Sequence, residues 1–413
     1  MDPVRRLDLR SLLTRAEAAA PVGVVDAMAA AMAEMLSARR VSFLIADFSG
    51  RSLNRLGHID ANGEPGSRSE ETAERVGLEA SLYGEALAEQ RSVVVRDGDG
   101  ARVIAPVTSR GEAVGVLEVI LPFEPDPATL EDVELAAHQL AYMVIANRRY
   151  TDLFEWGQRT VPLSLAAEIQ RRLLPASFTC EADQFTLAGW LEPAGQVGGD
   201  TFDFSLDRET LHISMTDAMG HSVRSALLAT LVVGALRNAR RRSADLVDQA
   251  QSAHEALSAY ATDGGFVTGQ LVRVDLVDRV ATVINAGHPH PFRLRDRQVE
   301  EIELVAQQPF GASKGASWTV QAFPLEAGDR VLFLTDGMLE RNAKDLDIPQ
   351  LMLASAHMHP REAIQFLTYA VLDAVDGDLR DDATSLCFDW HGGAQSDRVS
   401  HAGAEHRIQR DVH

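Results

Sequence analysis

Cysteine is almost absent from the sequence: two residues, Cys180 and Cys387, stand in a chain of 413. They lie far apart and without a metal-ligand spacing, which excludes a disulfide framework and reads as two reduced thiols in a reducing compartment. Long apolar runs are missing as well. Nowhere do about 18 consecutive apolar residues occur, and the opening MDPVRRLDLR carries acids with no apolar stretch behind it. Neither a membrane span nor an export signal is expected, and the expected location is the cytoplasm. Positive charge is scarce, with 39 Lys and Arg against 60 Asp and Glu. Nucleic-acid binding draws on basic residues to neutralise phosphates, so a nucleic-acid partner is disfavoured. The one tight basic run, Arg237, Arg240, Arg241 and Arg242, falls at the expected end of a helix, where arginines complement the negative end of the dipole.

What is present suits a folded chain. At 46% hydrophobic and 24% charged residues, the composition excludes a fibre or a disordered polymer. The length predicts two or three domains at roughly 100 to 200 residues each. In the first part, VGVVDAMAAAMAEML has apolar residues at helical spacing and is followed by a strand-like VSFLIA. Gly, Ser, Asn and charge dominate Asn54 to Glu74, which predicts a long loop. A short helix around Gly84 to Gln90 and a strand from Ser92 come next, and then RVIAPV and AVGVLEVIL, split by the turn-like SRGE, predict a hairpin. Asp126 and Pro127 supply an N-cap and first turn for a helix with Leu130, Val133, Ala137, Leu140 and Val144 on one face.

This order, and above all SLYGEALAEQRSVVV followed by ARVIAPVTSRGEAVGVLEVIL, resembles a GAF domain over residues 15–150. The resemblance implies a sensor of a small-molecule or protein signal, or a dimerisation module. Residues 151–175 read as a helical linker broken at Pro162, and such linkers favour a homodimer. Residues 393–413 lack apolar periodicity and read as a mobile tail.

From 176 to 392 short apolar runs alternate with turns, including TLAGWL, TLHISMTD, QLVRVDLV, RVATVIN and RVLFLTD, with helical stretches after His221 and after Asp245. Four acids sit at strand ends or turns: Asp200 in QVGGDTFDF, Asp217 in SMTDAMGHS, Asp336 in LFLTDGML and Asp381 in RDDATSL. Taken singly, each reads as a turn residue. Together they offer the oxygen ligands that magnesium and manganese prefer. Two such ions roughly 3.5 to 4 Å apart lower the pKa of a water and clamp phosphoryl oxygens during in-line attack.

VGGDTFDF, TDAMGHS, TDGMLE and DDAT, in this order, with EIQRRLLP ahead of them and NAGHPHPF and QQPFGA between, resemble the metal-dependent serine/threonine phosphatase (PPM) family in its bacterial SpoIIE-like branch. The resemblance covers about half the chain. It implies an α+β fold, an α/β/β/α sandwich of two antiparallel sheets flanked by helices, with two Mn2+ or Mg2+ ions held at one end between the sheets. Carried over, Asp217 bridges both ions with help from the Ala218 carbonyl. Asp336 and Asp381 complete the first site, and Asp200 binds the second ion partly through water. Asp382 is the neighbour competing with Asp381. His221 takes the position proposed to protonate the leaving seryl oxygen, while His288 reads as structural. Gly198, Gly199, Gly220 and Gly337 read as architecture of the site. Two positions depart from the branch's pattern: Ser222 follows His221 where a glycine is usual, and Thr201 follows VGGD where an aromatic residue is usual. Neither removes a ligand. The implied activity is hydrolysis of phosphoserine or phosphothreonine on a protein, with a STAS-type anti-sigma-factor antagonist as the substrate usual in the branch. The rivals are a catalytically silent adaptor that keeps the fold, and a hydrolase of small phosphoesters.

Overall fold

The computed structural model describes residues 6–60, 74–159, 163–182, 184–194, 198–220, 223–260, 264–339, 346–377, 379–392, 400–401 and 404–405. The chain divides into two compact units, Met1–Pro162 with Arg398–His413, and Leu163–Asp397. The tail expected from residue 393 lies outside the described residues, apart from Ser400–His401 and Ala404–Glu405, which pair as a two-residue ladder.

In the first unit the order is α1 (Leu9–Ala18), α2 (Val24–Leu36), β1 (Arg40–Ala46), β2 (Ser52–Asp60), β3 (Arg75–Gly77), α3 (Leu82–Glu89), β4 (Val93–Asp97), β5 (Gly100–Ser109), β6 (Glu112–Leu121), α4 (Pro127–Asn147) and α5 (Leu153–Gln158). The strands form one antiparallel sheet in the order β3-β2-β1-β6-β5-β4. Side chains alternate across a strand, so Val41, Phe43 and Ile45 turn to the face covered by α1, α2 and α4. Leu44, Leu53, Ile104 and Val116 turn to the other face, under α3. The hairpin forms as its sequence predicts, and α4 starts where expected, with the Asp126 carboxylate accepting from the Thr129 amide at 2.7 Å. The predicted loop from Asn54 is overturned in its first part, because β2 occupies 52–60; residues 61–73 lie outside the described residues. A bulge opposite Phe43 and Leu44 shifts the register within β2. That shift breaks the period-2 pattern by which a strand is read.

The second unit runs α6 (Leu165–Leu173), β7 (Thr179–Ala182), β8 (Phe185–Glu192), β9 (Asp200–Leu206), β10 (Thr210–Ala218), α7 (Val223–Arg241), α8 (Leu246–Tyr260), β11 (Val267–Asp275), β12 (Val280–Ala286), β13 (Phe292–Arg295), β14 (Gln298–Glu301), β15 (Gln321–Pro324), β16 (Asp329–Leu334), α9 (Ile348–Ala354), α10 (Pro360–Ala374) and β17 (Ala383–Trp390). Two antiparallel sheets result, β15-β12-β11-β10-β9 and β14-β13-β16-β17-β8-β7. Leu211, Ile213 and Met215 of β10, Phe202 of β9, Val331 and Phe333 of β16, and Leu386, Phe388 and Trp390 of β17 fill the space between the sheets. Each such residue, fully buried, contributes about 1.5–3 kcal/mol. α7 and α8 cover the outer face of the first sheet, α9 and α10 that of the second. The expected α/β/β/α sandwich is the observed fold. Two helices beyond the two read from the sequence, α9 and α10, complete its outer layer.

Arg240 and Arg241 of the basic run fall in the last turn of α7, as expected, and the run also has a carboxylate partner. Arg237 and Arg240 both reach the buried Asp203 carboxylate of β9, at 2.9 and 3.0 Å, and Arg237 also donates to the Leu173 carbonyl of α6. A buried carboxylate needs such partners, and the pairing ties α6, α7 and β9 together.

Candidate metal and phosphoryl site

The site follows from strand parity. Residues 211, 213 and 215 of β10 face the other sheet, so Asp217, two further on, faces it too. Asp200 stands directly opposite Asp217 in the β9–β10 ladder, next to the pair Phe202 and Met215. On the facing sheet, Phe333 and Leu386 point inward, and two residues beyond each, Thr335 and Thr384 do the same. Both threonine hydroxyls donate to Oδ2 of Asp200, at 2.7 and 2.5 Å. The backbones of these two segments are also joined, Thr335 N to the Thr384 carbonyl at 3.0 Å and Thr384 N to the Thr335 hydroxyl at 3.1 Å. VGGD, TDG and DDAT therefore meet at one end of the inter-sheet layer.

Close packing makes that meeting possible. A Cβ on Gly337 would stand 2.1 Å from the Asp382 carbonyl, and one on Gly199 would stand 2.6 Å from the Ala218 carbonyl. At both positions only glycine fits.

Like charges placed directly opposite on neighbouring strands repel. Burial, followed by the charges of Asp336, Asp381 and Asp382, pushes the Asp217 carboxyl up to about 7. Asp200 is 2% exposed. Burial first, then Asp217 and Asp382, raises it well above the usual carboxylate range against the pull of its two hydroxyl partners. The next two neighbours acting on each are thus carboxylates, and the electrostatic need of the cluster is a cation.

Of the two adjacent acids, Asp382 is spent on structure. Its oxygens accept from Gln170 of α6 at 2.5 Å, from the Ala194 amide at 2.9 Å and from the Gly199 amide at 3.2 Å. Gln170 also donates to the Asp200 carbonyl at 2.8 Å. Asp381 is half-buried, and one of its oxygens accepts from the Asp382 amide.

A cleft of about 460 Å³ opens beside these acids, lined by Asp217 and Asp336 on one side and by His288, His290, Phe292 and Glu301 on the other. His288 is buried, its Nδ1 stands 3.1 Å from the Thr268 hydroxyl, and burial pushes its pKa down to about 3. It is a neutral packing residue, as its sequence context suggests. His221 and Ser222 lie outside the described residues. Thr201 is buried and pairs with Thr216 across the ladder, hydroxyl to hydroxyl at 2.6 Å. Among the described residues no group of three His, Cys, Asp or Glu side chains is already drawn together closely enough to hold a metal ion. The acids converge in charge without closing a coordination shell.

The sequence model for stage II sporulation protein E (SpoIIE) matches residues 207–391, and that for the GAF domain matches residues 21–144. This chain joins a GAF domain to a SpoIIE-type phosphatase domain of the PPM class. The SpoIIE match takes in Asp217, Asp336 and Asp381 and starts after Asp200. The chain is 22% identical to phosphoserine phosphatase RsbU of Bacillus subtilis (strain 168), over 54% of this chain and 68% of that protein. It is 24% identical to stage II sporulation protein E of the same organism, over 46% of this chain and 24% of that protein. The chain thus spans only about a quarter of the second relative. Among solved structures, the SiaA-PP2C domain of Pseudomonas aeruginosa is 21% identical and covers 55% of this chain and 93% of its own, with a TM-score of 0.45. Phosphatases of the PP2C family are metal-dependent. Among the described residues no helix is long and apolar enough to cross a membrane.

Three residues that hold the acids in place, Thr335, Thr384 and Gln170, were not singled out from the sequence. Thr335 and Thr384 carry a signal there, Thr335 directly preceding Asp336 and Thr384 closing the DDAT motif. Gln170 carries none, since a glutamine in EIQRRLLP is indistinguishable from an exposed helix residue.

Proposed function

We propose that the chain is a metal-dependent protein phosphatase that hydrolyses phosphoserine or phosphothreonine, under the control of its GAF domain. The observation that carries this reading is the meeting of Asp200, Asp217, Asp336 and Asp381 at one end of the sandwich, beside an open cleft. Their chemistry fits hard divalent cations, Mn2+ or Mg2+: the donors are oxygens only, and the buried ones are mutually repelled. Asp217, with the Ala218 carbonyl, would sit between two ions; Asp336 and Asp381 would complete one site, and Asp200 would reach the other partly through water. Bound there, the ions would supply an acidified water and neutralise phosphoryl charge. The chain's own part is to hold the carboxylates rigid through Thr335, Thr384 and Gln170, and to admit the phosphoryl group by the cleft.

The proposed substrate is a phosphorylated regulatory protein of the STAS type, an anti-sigma-factor antagonist, as the resemblance to the SpoIIE-like branch implies. The chain would act in the cytoplasm as a homodimer, with a signal received at residues 15–150 and passed through residues 151–175. The test is hydrolysis of a phosphoserine STAS protein by purified chain with manganese. Asp217→Asn and Asp336→Asn should each abolish turnover. Full turnover by either variant, or none by wild type on the phosphoprotein and on p-nitrophenyl phosphate, overturns the reading.

A second reading, a silent adaptor that keeps the fold, draws on the absence of a ready three-ligand group among the described residues. Calorimetric titration with manganese separates the two. Uptake by wild type and none by Asp217→Asn supports the enzyme, and no uptake by either supports the adaptor.

A further inference from the structure

We infer that His290 is a catalytic residue, the proton donor to the departing seryl oxygen; this rests on the phosphatase reading above. The loop that carries it is built to hold one side chain still. Asn285, fully buried, donates through Nδ2 to the His288 carbonyl at 3.0 Å and accepts from the His288 amide at 2.8 Å. Gln270, also buried, donates to the Pro289 carbonyl at 2.6 Å. Prolines on both sides of His290 fix the backbone further. After Pro291 the chain enters the β13–β14 hairpin, which the Ile302 amide extends by donating to the Pro291 carbonyl at 2.8 Å.

That hairpin returns Glu301 to His290, with Nδ1 3.1 Å from the carboxylate. A carboxylate on Nδ1 orients an imidazole and leaves Nε2 as the nitrogen that can exchange a proton with a bound group. His290 is 30% exposed and lines the same cleft as Asp217 and Asp336. Among the described residues that line the cleft, His288 is buried and neutral, Asp217 and Asp336 are needed as anions, and Glu301 is occupied with the imidazole.

In the step assigned to it, a water oxygen bonds to phosphorus as the phosphorus–seryl oxygen bond breaks. The Nε2 proton of His290 passes to the seryl oxygen, giving the free hydroxyl and inorganic phosphate. The imidazole regains its proton from solvent, which receives the one lost by the attacking water. A seryl alkoxide is a strong base and needs that proton; a nitrophenolate is a weak base and departs without it.

The experiment compares turnover of a phosphoserine peptide and of p-nitrophenyl phosphate, with manganese, by wild type, His290→Gln, Glu301→Gln and His221→Gln. His290→Gln is expected to lose about a hundredfold on the peptide, as general acid catalysis commonly contributes, and at least tenfold less than that on the nitrophenyl ester. Glu301→Gln should show the same bias more weakly. Equal losses on both substrates assign His290 a structural role and overturn the inference, as does a leaving-group bias in His221→Gln with none in His290→Gln. Thermal melting of each variant identifies a loss due to misfolding, in which case His290→Asn is judged by the same bias. A wild-type chain inactive on both substrates sinks the phosphatase reading itself, whereas an active wild type with unbiased variants sinks only this inference.

Discussion

Replacing Asp217 by Asn removes a charge from the most crowded point of the acid cluster while keeping the side chain's shape. In the folded, metal-free protein this carboxyl is raised from 3.8 to about 7. A group whose folded pKa lies above its unfolded value favours folding while protonated. The native state then binds more protons than the unfolded state between about pH 4 and pH 7, so stability falls as pH rises through that window and stays low above it. A rise of that size corresponds to roughly 4 kcal/mol. Asp217 is only half-buried at the cleft, so solvent screens the repulsion and about 2–4 kcal/mol is the working range. Asp200, raised in the same direction, adds a slope of the same sign.

Asp217→Asn in EDTA should therefore be more stable than wild type by about 2–4 kcal/mol near pH 8, and the gain should shrink by half or more near pH 5. Urea unfolding followed by tryptophan fluorescence suits the measurement, since three of the four tryptophans, Trp190, Trp318 and Trp390, lie in the second unit. Manganese should reverse the order, stabilising wild type by mass action and leaving the variant unmoved. A variant less stable than wild type near pH 8 in EDTA, or a gain equal at both pH values, would refute the electrostatic account.

Gly337→Ala should cut manganese-dependent turnover at least about tenfold, because its Cβ would meet the Asp382 carbonyl and spread the site; steady-state kinetics checks it, and unchanged turnover contradicts the packing. Gln170→Ala removes one of the two donors to Oδ2 of Asp382, leaving the Gly199 amide, and removes a donor to the Asp200 carbonyl; it should raise the manganese concentration for half-activity about tenfold. Arg237→Ala leaves Asp203 with Arg240 alone and the Leu173 carbonyl without its donor. Its expected cost is about 2–4 kcal/mol in urea unfolding of the second unit, and Asp203→Asn in the same background should recover part of it.

Much of the sandwich was legible because β10, β11, β12 and β16 are apolar runs punctuated by turns, and because the acids stand at their ends in a recognisable order. The facing of Asp200 and Asp217 was not legible, since register depends on which residues pair across a ladder and one strand does not reveal its partner's offset. β2 was missed because a bulge interrupts its alternation. The ion pairs of Arg237 and Arg240 were not legible for a related reason: their partner, Asp203, lies 34 residues from Arg237 in sequence and looks like any acid beside an aromatic residue. Gln170 contacts Asp382 across 212 residues, a separation at which only the folded chain shows who meets whom.

The two hydroxyls on Asp200 bear on ion choice. Both donate to the same oxygen, Oδ2, and neither engages Oδ1. At the proposed site a carboxylate so occupied would offer a cation one oxygen more readily than two. Calcium, which takes six to eight oxygens and commonly grips a carboxylate by both, loses one contact there, whereas magnesium accepts single-oxygen carboxylates and fills the rest of its octahedron with water. The two threonine hydroxyls would thus tilt the proposed site toward the smaller ion.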